Sequence, residues 1–110
     1  MHEAGLLAAA VADALAAAGP GRTRPEAIVI RVHDPIHIAP EAALMHAELA
    51  LRAHGLFDVP IEVTADPVEC LACAEVNEAH ADHPFCEACG WPLPDKGGHQ
   101  VDAVARWGPT

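Results

Sequence analysis

The chain has 110 residues, 16 of them acidic and 6 basic, for a formal net charge of −10. That length suits one small domain, or one with a metal-stapled appendage, and six Lys and Arg cannot build the basic face that a nucleic-acid backbone demands. Hydrophobic residues are 52% of the chain but aromatics only 4%, so the core must come from Leu, Ile and Val on few elements, with a structural metal as added stabiliser.

Residues 4–18 predict a helix, with Leu7, Val11, Leu15 and Ala18 at three- and four-residue spacing along one apolar stripe. The run is broken by Asp13 and is too short to cross a bilayer. No Lys or Arg precedes it, so a secretory signal is not expected. Gly19-Pro20-Gly21 ends the helix, and residues 22–25 are a polar connector. A strand is expected over 27–33, with Ile28, Ile30 and Val32 on one face. Residues 33–39 read as a loop in which His33 and His37 bracket a turn at the surface.

Pro40 stands where a first helical residue would, Glu41 suits the positive end of the dipole, and Gly55 stops the helix after His54. Leu44, Ala47 and Leu51 mark its expected buried side. A second strand is expected over 59–65, with Ile61 and Val63 inward. Asp66-Pro67 leads into a cysteine module reaching Pro94. After a turn at 95–98, residues 100–107 form a third strand with Val101, Ala103, Ala105 and Trp107 on one side. The order implies an α+β fold, two helices packed on a short three-stranded sheet. Residues 1–66 and 98–110 would make one domain, and residues 67–97 an inserted zinc-binding domain.

The module carries the only cysteines: Cys70-x-x-Cys73, twelve residues (74–85), then Cys86-x-x-Cys89-Gly90. Two residues between thiolates let both sulfurs reach one ion from a tight turn, and two such turns complete the tetrahedron of a closed structural zinc site. Two disulfides or a redox pair are the other readings of four cysteines. The spacing favours zinc, and the missing secretory signal favours the reducing cytoplasm.

The start, Met1-His2-Glu3, has a chemistry of its own. A free α-amine, the following amide nitrogen and the imidazole of residue 2 lie within chelating reach of one ion. Such a nitrogen plane suits nickel(II) or copper(II) rather than zinc. The plainer reading of His2 alone is a frayed terminus.

Met1-His2-Glu3 opening an amphipathic helix, Ile38-Ala39-Pro40-Glu41, Ile61-x-Val63 with Pro67, and the double Cys-x-x-Cys insert resemble the HypA/HybF family over nearly the whole chain. The resemblance implies a nickel metallochaperone for maturation of [NiFe]-hydrogenase or urease. His2 would be the nickel ligand, beside the Met1 amine and with Glu3 in support, and Cys70, Cys73, Cys86 and Cys89 would hold structural zinc. It also implies protein partners: a nickel-handling GTPase of the HypB type, a hydrogenase large subunit or urease accessory proteins, and room for a homodimer. The chain departs from the family pattern at Gly5, at His33-Asp34-Pro35-Ile36-His37 and at Trp107-Gly108-Pro109-Thr110. These departures mark a divergent member and leave the client enzyme open.

Of the other histidines, His80 and His83 flank Cys86 as His-x-x-His-x-x-Cys and can exchange onto zinc as pH falls, or be solvated loop residues. His99 follows a Gly-Gly turn, and His46 and His54 belong to no motif. An acidic zinc-ribbon adaptor or regulatory protein without nickel delivery is the competing reading. Catalysis is not expected, because residue 6 is Leu rather than the second His of a His-Glu-x-x-His site and four cysteines leave zinc no open position.

Overall fold

The computed structural model describes residues 3–19, 21, 24–78, 83–94 and 100–108. Helices α1 (Glu3–Ala16) and α2 (Pro40–Ala53) accompany strands β1 (Ala27–Val32), β2 (Ile61–Ala65), β3 (Val68–Glu69), β4 (Val76–Asn77) and β5 (Val101–Arg106). The main sheet runs β2-β1-β5, with β2 parallel to β1 and β5 antiparallel. The most apolar strand is central, as expected where both neighbours and the helical layer must be satisfied. Ile28, Ile30 and Val32 are fully buried under the helices.

The core of this layer is built from Leu7 and Val11 of α1, those three β1 residues, Ile38, Ala43, Ala47, Ala50 and Leu51 of α2, Val59 and Val101. One expectation is corrected here. Ala47 and Leu51 are buried as expected, but Leu44 is 36% exposed, and Ala43 and Ala50 complete the buried side in its place. The buried stripe is rotated by about half a residue step around the helix. Alanines make up most of the buried side of α2, which packs against α1, and the bulkier Leu44 turns outward. The end of α2 is a Schellman cap: Gly55 N–H bonds Arg52 O and Leu56 N–H bonds Leu51 O, with Gly55 at φ +74°.

The face of the main sheet away from the helices is open. Arg31, Glu62, Thr64, Asp102, Val104 and Arg106 lie exposed on it. A second, two-stranded antiparallel sheet, β3-β4, lies inside the cysteine module, where the sequence offered no strand signal. Its core is separate: Val68, Cys70, Cys86 and Leu93, with Ile36 packed against them.

Candidate metal centre

Two turns of the same construction bring the cysteines together. In the first, Ala74 N–H bonds Cys70 O and Cys70 N–H bonds Glu75 O; in the second, Gly90 N–H bonds Cys86 O and Cys86 N–H bonds Trp91 O. The residue after each pair takes a left-handed conformation, φ 63° at Ala74 and 77° at Gly90. Glycine adopts it without strain, whereas alanine sets its Cβ against the following carbonyl.

The four sulfurs lie within 4.8 Å of one another. Cys70 Sγ is 3.6 Å from Cys89 Sγ, and Cys73 Sγ is 3.7 Å from Cys86 Sγ, so each close pair joins one turn to the other. A disulfide would need about 2.05 Å. Four thiolates at about 2.3 Å from a tetrahedral ion stand roughly 3.8 Å apart, which these spacings approach. The cluster can therefore hold one tetrahedral metal ion, and its all-sulfur donor set fits zinc.

Asn77 binds the two turns together. Its side chain, 6% exposed, donates to Glu75 O (3.1 Å) and to Cys86 Sγ (3.5 Å), and its Oδ1 accepts the Glu87 N–H (3.0 Å). The backbone N–H of Cys89 holds the Cys86 thiol down at about 6; burial opposes this, while the Asn77 amide, the Ala88 N–H and Cys73 add to it. Cys73 goes the other way. The Glu75 N–H favours its thiolate, but burial and the sulfurs of Cys89, Cys86 and Cys70 outweigh that and push it up to about 12. Cys89 is likewise raised: the Trp91 N–H favours its thiolate, while burial and Cys70 prevail. The Cys86 thiolate is thus ready before those of Cys73 and Cys89, and an arriving cation supplies the charge that lets these two ionise.

Asn77 was missed from sequence. Its only signal was one uncharged polar residue between Glu75 and Glu78 after the first cysteine turn, and that fits a solvated loop equally well.

The module is tied to the sheet at residues 33–38. His33, expected at the turn surface, is instead held between carboxylates: Nδ1 lies 2.9 Å from Asp66 Oδ2 and Nε2 lies 2.7 Å from Asp102 Oδ2. Asp66 is where the chain leaves β2 for the module, and Asp102 is where it has returned to β5. Hydrogen bonds to Asp102, then Asp66, raise the His33 pKa. Asp66 also accepts Arg31 Nε at 2.7 Å and is lowered by it, with His33 adding to the effect. His37 does stand at the surface, its Nδ1 2.8 Å from the buried Asp34 carboxylate. Ile36 reaches the cysteine core and Ile38 the helix–sheet core. Two residues of one turn thereby pin both bodies.

The overall fold is found in solved proteins. A solution structure of the Ni metallochaperone HypA from Helicobacter pylori superposes with a TM-score of 0.53 at 15% identity, over 98% of this chain and 100% of that one. A second solution structure of HypA protein gives 0.52 at 17%, over 97% and 96%. The fold is that of HypA. No protein-family model and no curated protein matches the chain in sequence, so the HypA likeness is carried by architecture. Of the residues read as a nickel site, Met1 and His2 lie outside the described residues, and Glu3 opens α1 of the HypA fold. His80 and His99 also lie outside them, while His83 is exposed within the module, between the two cysteine pairs. Among the described residues no helix is long and apolar enough to cross a membrane.

Proposed function

We propose that this protein is a HypA/HybF-type nickel metallochaperone with a structural zinc. The carrying observation is the HypA fold over 98% of the chain together with a four-sulfur cluster of tetrahedral spacing. Cys70, Cys73, Cys86 and Cys89 hold zinc, which locks the two turns and leaves no open position for catalysis. Nickel is cargo, not a resident cofactor. The Met1 amine, the backbone amide and His2 supply its nitrogens, with Glu3 in support. Residues 1–66 and 98–110 act as the nickel-binding domain and residues 67–97 as the zinc-binding domain.

The protein is not an enzyme and works in the cytoplasm. It hands Ni(II) on during maturation of a [NiFe]-hydrogenase or urease, meeting a HypB-type GTPase, a hydrogenase large subunit or urease accessory proteins. The net charge of −10 supports protein rather than nucleic-acid partners.

Nickel titration of untagged protein by calorimetry tests the reading. His2→Ala removes nickel binding and leaves zinc content and fold intact; Glu3→Gln weakens binding less. Affinity falls as pH drops, because amine, amide and imidazole must all lose protons to coordinate. His2→Ala protein that binds nickel as the parent does would overturn the N-terminal site.

A further inference from the structure

One buried carboxylate has no part in the metal centre. Asp34 is fully buried, and a desolvated carboxylate is costly unless polar groups meet it. His37 meets it twice: Nδ1 lies 2.8 Å from Oδ2, and the backbone N–H lies 3.3 Å from Oδ1. The Asp34 carbonyl also accepts the N–H groups of His37 and Ile38, at 3.2 and 2.9 Å. Ring and backbone of residue 37 are both set by this one aspartate.

A carboxylate only accepts, so the proton of a neutral His37 stays on Nδ1 and the lone pair that can coordinate is on Nε2. The side chain is 52% exposed, within reach of an ion at the surface. Proteins preset a histidine for a metal in this way: a carboxylate behind one nitrogen fixes the tautomer and aims the other. His33 differs, because carboxylates hold both of its nitrogens.

The fold puts His37 at the end of the molecule where α1 starts. Asp13, Ala14, Ala17 and Ala18 lie beside Ala103, Ala105 and Trp107, so the last turns of α1 sit over the end of β5. The first turn, opened by Glu3, is therefore directed at the start of β5, where Val101 stands opposite Val32. His33 to Ile38 continue from Val32, and α2 begins at Pro40. Ile38, next to His37, is buried in one core with Leu7, about one turn into α1. This is also the carboxyl end of the parallel pair β1 and β2, where open α/β sheets place their ligands. His54, by contrast, ends α2 at the far side of the layer.

We propose that His37 is a nickel ligand, its Nε2 filling the corner that the N-terminal nitrogens leave open. A planar nickel(II) takes four donors, of which the Met1 amine, the backbone amide and His2 supply three. An imidazole in the fourth corner completes a plane of nitrogens, the geometry that suits nickel and not tetrahedral zinc. His37 thereby adds to the N-terminal nickel reading, on which this assignment rests, a donor from residues 33–37, where the chain departs from the HypA/HybF pattern. Asp34 is its positioning residue.

Nickel(II) titration of the untagged full chain tests the assignment, followed by calorimetry and by the visible band of the planar ion. His37→Gln weakens nickel binding by about 100-fold, the upper range for loss of a supporting residue. Its visible band moves to longer wavelength as an oxygen donor replaces nitrogen, while zinc content and circular dichroism hold. His54→Gln changes nothing. In the parent, the Nε2 resonance of His37 shifts when diamagnetic planar nickel is added. Asp34→Asn binds about 10-fold less tightly, and its His37 ring populates both tautomers by nitrogen-15 shifts. A His37→Gln protein that binds nickel within about twofold of the parent, with an unchanged band, overturns the assignment. His2→Ala keeps the two ideas apart. Nickel lost with His2→Ala but kept by His37→Gln sinks His37 alone. Nickel kept by His2→Ala but lost with His37→Gln sinks the N-terminal reading and leaves His37 as a ligand, and nickel kept by both variants sinks both.

Discussion

Replacing Asn77 with alanine removes a side chain that is hydrogen-bonded to both cysteine turns. Three interactions go: the bond to Glu75 O, the bond accepted from Glu87 N–H, and the N–H···S contact to Cys86. The two neutral bonds are each worth about 1 kcal/mol net, so the metal-free module loses about 2 kcal/mol of local stability. The sulfur contact acts on the bound ion. Loss of such a supporting donor typically weakens metal affinity about 10- to 100-fold, or about 1.4–2.7 kcal/mol. Competition with a coloured zinc chelator measures this directly, and far-UV circular dichroism checks that α1, α2 and the main sheet remain. Asn77→Asp separates the parts: it keeps an acceptor for Glu87 N–H but loses both donors, so affinity stays low while some local stability returns. An affinity for Asn77→Ala within about twofold of the parent, about 0.4 kcal/mol, would refute the reasoning.

Three further outcomes follow from the same geometry. His33→Gln should alter the pH dependence of stability. The histidine's pKa is raised above 6.5 by Asp102 and Asp66, so its contribution is fully present below that value and is lost as pH rises through the folded pKa. Melting temperatures of parent and variant should therefore converge in mildly alkaline buffer, and a constant gap would refute the clamp. Ala74→Gly should stabilise the cysteine module by about 0.5–1 kcal/mol, because the strain of a left-handed alanine, about 1–2 kcal/mol, exceeds the extra unfolded-state entropy of glycine. Slower chelator-driven zinc release reads this, whereas Gly90→Ala, with open space around its Cβ position, should be faster through backbone strain alone. Leu7→Ala, at a fully buried core position, should cost about 2–5 kcal/mol of the helix–sheet layer. Zinc content should hold, because Leu7 and the cysteines belong to different cores.

The type and order of α1, α2, β1, β2 and β5 were legible in the chain because each rests on a local signal, whereas β3 and β4 carried none. The 3.6-residue stripe Leu7-Val11, the alternation Ile28-Ile30-Val32, Pro40 at a helix start and Gly55 at its end need no distant partner to act. The cysteine cluster was equally legible, since a two-residue spacing decides whether two sulfurs can share an ion. What stayed hidden depends on residues far apart in sequence. Whether Leu44 or Ala43 faces inward is settled by packing, and a helix rotated by about half a residue step keeps Ala47 and Leu51 inward and satisfies nearly the same periodicity. His33 looked like turn surface because its partners, Asp66 and Asp102, lie 33 and 69 residues away. Asn77 became a brace only when folding set the second cysteine turn against the first. Spacing along the chain determines what a few neighbouring residues can do. Packing determines which distant groups they do it with, because a buried or ionic contact exists only once both sides have been brought to one place.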